Sequence, residues 1–153
     1  MNEFESDLKR VMSDLERARV DLLSALDGLT EDGLSRRRRG GWSVTEILHH
    51  VIGGELHYTN GIAFIRGRPP GRSPNDQGEM RTAADAVRML EEARLALLST
   101  LEGMDEDTFY ELAPLTNVEE YGQTYSVLSV LENVVHHDRE HTAQIREILS
   151  LPQ

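Results

Sequence analysis

The segment GRPPGRSPNDQGEM, residues 67–80, holds three prolines and three glycines, and no helix passes through it. On either side of it apolar residues recur at steps of three and four, the period of an amphipathic helix. The chain is therefore expected to fold as helices joined across this segment by a crossover. The first stripe runs over about 3–27 through Phe4, Leu8, Val11, Leu15, Ala18, Leu22, Ala25 and Leu26, and stops at Asp27-Gly28. A second helix starts at Ser43, where Ser43 and Glu46 make a capping box, and runs to about Arg66. A third runs from about Thr82 to Met104 through Ala86, Leu90, Ala93, Leu97 and Leu101, and a fourth covers about 126–150. The turn at Thr30–Leu34 and the stretch 105–125 read as irregular connections. No strand alternation competes.

WSVTEILHHVI at 42–52 and YSVLSVLENVV at 125–135 share the pattern aromatic-Ser-Val-x-x-apolar-Leu-x-x-Val-apolar. The chain thus reads as two similar helical hairpins. The fold expected is all-α: a four-helix bundle with a long crossover between helices 2 and 3, filling residues 1–153 as one domain.

Helical angle sorts the six histidines. On the fourth helix Val127, Val130, Val134, Ile145 and Ile148 define the inward stripe. His137 and His141 fall within it, Gln144 borders it, and His136 faces water. On the second helix Val44, Leu48, Val51 and Leu56 share a broad apolar side that also takes Glu55, while His49 lies in a polar wedge. A separate row of Ile47, His50, Gly54, His57, Gly61 and Phe64 sets two histidines beside glycines, which leave room for a close neighbour. Two imidazoles one turn apart can hold one ion. A third inward imidazole on another helix favours a shared cation, because burying unpartnered polar groups costs about 1–3 kcal/mol each. Antiparallel second and fourth helices bring the three to similar depth. With no cysteine in the chain, such a site is built from His and carboxylate alone.

The other classes are narrowed by composition. Hydrophobic residues make up 39% and charged residues 28% of the chain, as in a soluble globular protein, and a cytoplasmic location is expected. No run approaches the roughly 18 apolar residues of a membrane span. The net charge of −11 argues against nucleic-acid binding. Arg36–Arg39 are the exception, read as a solvated loop or as an attractor for an anionic substrate if they overhang the site. Trp42 is expected to close the end of the bundle as a hydrophobic staple. His57 lines the pocket, supplies a fourth ligand or caps the cavity. Tyr58 and Asp138 read as packing and a solvated turn, and Glu55 reaches the site only if its helix rotates.

Trp42 through His50, W-S-V-x-E-I-L-x-H, followed by His137 through Ile145, H-D-x-x-H-x-x-Q-I, resembles the DinB/YfiT-like metalloenzyme family over nearly the whole chain. The resemblance implies a divalent metal, zinc or nickel among others, on His50, His137 and His141, and a homodimer. It also implies bacterial relatives that transfer low-molecular-weight thiols such as bacillithiol or mycothiol, one being a mycothiol-dependent maleylpyruvate isomerase. Three imidazoles leave open positions for water or substrate, and any thiol must come from outside a cysteine-free chain. A thiol-dependent S-transferase acting on a small molecule is the leading expectation, with metal-dependent hydrolysis beside it. A non-enzymatic, stress-related helical binding protein is the rival from another class, and a metal-free bundle that dimerises through its second helix is a third reading.

Overall fold

The computed structural model describes residues 1–115 and 123–152. In order along the chain stand α1 (Glu3–Ala25), α2 (Glu31–Ser35), α3 (Val44–Ile65), α4 (Ala83–Thr100), α5 (Glu106–Tyr110) and α6 (Val127–Leu149). The four long helices are those the stripes predict. Ser43 caps α3 with the expected box, accepting from the Glu46 amide while the Glu46 carboxylate reaches back. Asn2, Thr82 and Ser126 close α1, α4 and α6 in the same way. The one-turn helices α2 and α5 are too short to produce a stripe, and only their caps, Thr30 and Asp105, mark them.

The two halves repeat one plan. A long helix ends in a turn where Gly28 (φ 72°) or Gly103 (φ 69°) takes the left-handed conformation that side chains resist. A five-residue helix follows. Then an isolated antiparallel bridge, Arg37 with Ser43 or Ala113 with Tyr125, leads into a long serine-capped helix. Residues 116–122, within the stretch expected to be irregular, lie outside the described residues.

The halves are interleaved. α1 packs chiefly on α6, and α3 on α4 and α6. Arg146 of α6 bonds Asp21 near the end of α1, and Arg66 at the end of α3 bonds the Thr100 and Glu102 carbonyls at the end of α4. So α1 runs parallel to α6, and α3 parallel to α4. Because α3 and α4 are parallel neighbours, their connection must return along the bundle, and residues 66–82 do so with no helix or strand of their own. Gln77 pins that crossover to α3, donating to the carbonyls of His49 and Pro74.

Two apolar clusters fill the interior. One gathers Leu22, Leu26, Val44, Leu48, Leu90 and Ile145 near the start of α3. The other gathers Val11, Leu15, Ile62, Leu97, Phe109 and Leu131 near its end. α3 starts beside the end of α6, so the two are antiparallel, the arrangement that brings the histidines to similar depth. Among the described residues, no helix is long and apolar enough to cross a membrane.

Candidate metal centre

The antiparallel α3 and α6 come close together at Gly54. A Cβ on that residue would lie 3.1 Å from Cε1 and 3.4 Å from Nδ1 of His137. The missing side chain lets the His137 ring lie over α3, one turn beyond His50. Nε2 of His137 lies 3.0 Å from Nε2 of His50 and 3.1 Å from Nε2 of His141. The three rings meet edge to face with centroids 4.4 to 5.0 Å apart. His50, His137 and His141 are thus the three histidines that the helical angles single out, each offering one nitrogen within 4.8 Å of the others. For comparison, nitrogens around a tetrahedral zinc lie about 3.3 Å apart when the metal–nitrogen bonds are about 2.0 Å.

The protonation states suit a cation. Oε1 of Gln144 lies 2.7 Å from Nδ1 of His141 and accepts its proton, which leaves the Nε2 lone pair aimed at the cluster. Burial, then the neighbouring His141 and His50, hold the His137 imidazole well below its usual range, at about 4. Burial and His141 lower His50 in the same direction. Convergent imidazoles, two of them held low in pKa and the third with its tautomer fixed from outside, are the donor set a borderline divalent ion takes.

The cluster opens to solvent on one side. His141 is buried, His137 half-buried and His50 exposed. Trp42 stands at this mouth, its ring 5.0 Å from that of His50. It remains 48% exposed and rests edge-on against His50 rather than closing the bundle end as a staple.

The matching family model is that of the DinB superfamily, and it covers residues 14–145. This chain belongs to the DinB superfamily. No match was found to a curated protein or to a solved structure. Family and histidine cluster together point to metal binding, and both signature helices of this DinB chain supply the cluster.

Other candidate residues take different places. His57 is exposed against Tyr58 and stands apart from the cluster. His136 faces solvent beside Glu140, as its angle requires. His49 is half-buried, its Nδ1 2.9 Å from Oε1 of Gln77, because the crossover covers its side of α3. Arg36 bonds the carbonyls of Leu149 and Leu151, Arg37 pairs with Glu46, and Arg38 with Glu147. These arginines line an open groove with Asp32, Ser35 and Leu151 at the end of the bundle.

Sequence reasoning missed a buried quartet of charges behind the histidines. Asp138 is no solvated turn but 1% exposed, and Glu55 is 2% exposed. Arg19 of α1 grips Asp138 through Nε and one terminal nitrogen and reaches Glu55 with the latter. Arg94 of α4 grips Glu55 in the same bidentate way and reaches Asp138. Each arginine donates its other terminal nitrogen to the opposite helix, Arg19 to the Leu90 carbonyl and Arg94 to that of Leu15. Among the described residues no buried side-chain polar atom lacks a partner. The signal in sequence was Glu55 itself, a carboxylate on an apolar face, which is costly unless paired.

Proposed function

We propose that this DinB chain binds one divalent ion, zinc or nickel, at His50, His137 and His141, and uses it in a thiol-dependent S-transferase reaction. The observation that carries the metal site is the convergence of three Nε2 atoms at one solvent-open mouth. With three protein ligands, positions remain for outside molecules, the pattern of catalytic rather than structural sites. When bound, the ion supplies Lewis acidity that lowers the pKa of a thiol or water beside it.

The chain has no cysteine, so the thiol is a co-substrate. Its S–H proton goes to solvent, its sulfur forms a bond to an electrophilic carbon, and the leaving group departs with the bonding electron pair. The protein's residues hold this geometry. Gln144 keeps the proton of His141 on Nδ1, and Gly54 leaves the space His137 fills. Trp42 offers the mouth a flat apolar wall. The proposal places the reaction in a cytoplasmic bacterial protein, on one domain spanning 1–153, acting as a homodimer on a small-molecule substrate. The bacterial origin and the homodimer rest on the family resemblance, the location and the single domain on composition and length.

The test is a screen of zinc- and nickel-loaded protein with low-molecular-weight thiols against small electrophiles, beside His50→Ala, His137→Ala and His141→Ala. Thiol consumption that needs the metal and vanishes in all three variants supports the reading. Hydrolysis of the electrophile without thiol would replace the transferase by a hydrolase. Bound metal without turnover in either assay would favour the non-enzymatic binding protein.

A further inference from the structure

We propose that Arg19, Glu55, Arg94 and Asp138 form a register key between the halves of the chain and position His50 against His137 and His141; this role rests on the metal-site reading above. The three histidines come from different halves, His50 on α3 and the other two on α6. The centre therefore exists only when the second long helix of each half meets the other at one rotation and one depth. The two apolar clusters cannot fix that alone, because burial of apolar surface is non-directional. The quartet lies between them: Arg19 falls between Ala18 of one cluster and Leu22 of the other, and Arg94 between Leu97 and Ala93.

Its geometry follows the internal repeat. Stepping forward equally from the caps Ser43 and Ser126 leads to Glu55 and Asp138, and then to Thr59 and Thr142. These two threonines each bond the carbonyl of their own carboxylate residue. Stepping back equally from Gly28 and Gly103 leads to Arg19 and Arg94. The repeat thus pairs arginine with arginine and carboxylate with carboxylate. The reciprocal bidentate grips and the reciprocal bonds to Leu90 and Leu15 obey the same two-fold relation. Fork-to-fork guanidinium–carboxylate pairs are strongly directional. Buried ion networks contribute little net stability compared with apolar residues of similar size, and fixing register is their best-attested use.

The key is adjacent to the site. Gly54 and His137 bring α3 and α6 close together, and the next residue on each helix is Glu55 or Asp138. A slip of α6 that broke the quartet would also carry His137 off Gly54. These four are positioning residues that touch neither ion nor substrate.

The test replaces all four by apolar residues: Arg19→Met, Glu55→Leu, Arg94→Met and Asp138→Leu. Wild type and variant are compared by melting of the metal-free protein, by zinc affinity against a chromophoric chelator, and by the distance distribution between nitroxide labels. The labels sit on His57→Cys and Glu147→Cys, exposed positions on α3 and α6 in a chain with no other cysteine. The variant is expected to stay helical and melt no lower than wild type, with a broadened distance distribution and zinc affinity reduced about tenfold or more. A folded variant with an unchanged distribution, or with unchanged zinc affinity, would overturn the proposal. If wild type takes up no zinc, the metal reading fails, and the distance distribution alone decides the register. Should the quadruple variant not fold, Arg19→Met with Asp138→Leu, which leaves Glu55 paired with Arg94, is judged by the same criteria.

Discussion

Gly54→Ala separates the stability of the bundle from the geometry of the site. In a helix interior alanine is favoured over glycine by about 1 kcal/mol. Position 54 is well inside α3, so the metal-free protein should gain up to that amount. Opposing this is one contact, the new methyl 3.1 Å from Cε1 of His137, closer than ordinary van der Waals separation. A half-buried ring can yield by a few tenths of an ångström at small cost in the metal-free state. It cannot yield without moving Nε2, and a metal site needs its ligand distances within about 0.2 Å of the working values. The expected result is a metal-free variant at least as stable as wild type in urea, with zinc affinity down about tenfold, or about 1.4 kcal/mol. Competition titration against a chelator reads the second quantity. Wild-type zinc affinity in Gly54→Ala would refute the claim that this close approach sets the site.

Three further outcomes follow from the same geometry. Gln144→Leu removes the acceptor that fixes the His141 tautomer, and zinc affinity should fall about 10-fold with the fold retained, read by the same titration. Stability of the metal-free protein should rise with pH between about 4 and the unfolded imidazole value of 6.5, because the unfolded chain protonates His137 while the folded one resists; denaturation midpoints across that range should show the slope, and His137→Ala should reduce it. Asp138→Ala alone leaves Arg19 and Arg94 short of a buried carboxylate and should cost about 3–5 kcal/mol, measured by urea unfolding.

Much of this was legible in sequence, and the reason is periodicity. Long helices must turn one face inward, so Leu15, Leu48, Leu90 and Ile145 announce both the helices and their orientation, and His137 and His141 are found by the angle they share with Val134. Ser43 with Glu46 marks a helix start because orphaned amides need acceptors. What escaped was set by partners distant along the chain. Glu55 looked misplaced on an apolar face because Arg19 and Arg94, which neutralise it, lie on other helices. By angle His49 falls only in a polar wedge, and nothing in the period of α3 reveals that Gln77 of the crossover lies over it. Trp42 belongs to a loop, where side-chain direction follows no period.

The most direct measurement is the metal content of tag-free protein purified without added ions, wild type beside His141→Ala, with helicity recorded for both. About one divalent ion per chain is expected in wild type, and its loss from a variant that keeps its helices. A wild-type protein that carries no metal, and takes up neither zinc nor nickel on titration, would contradict the metal centre.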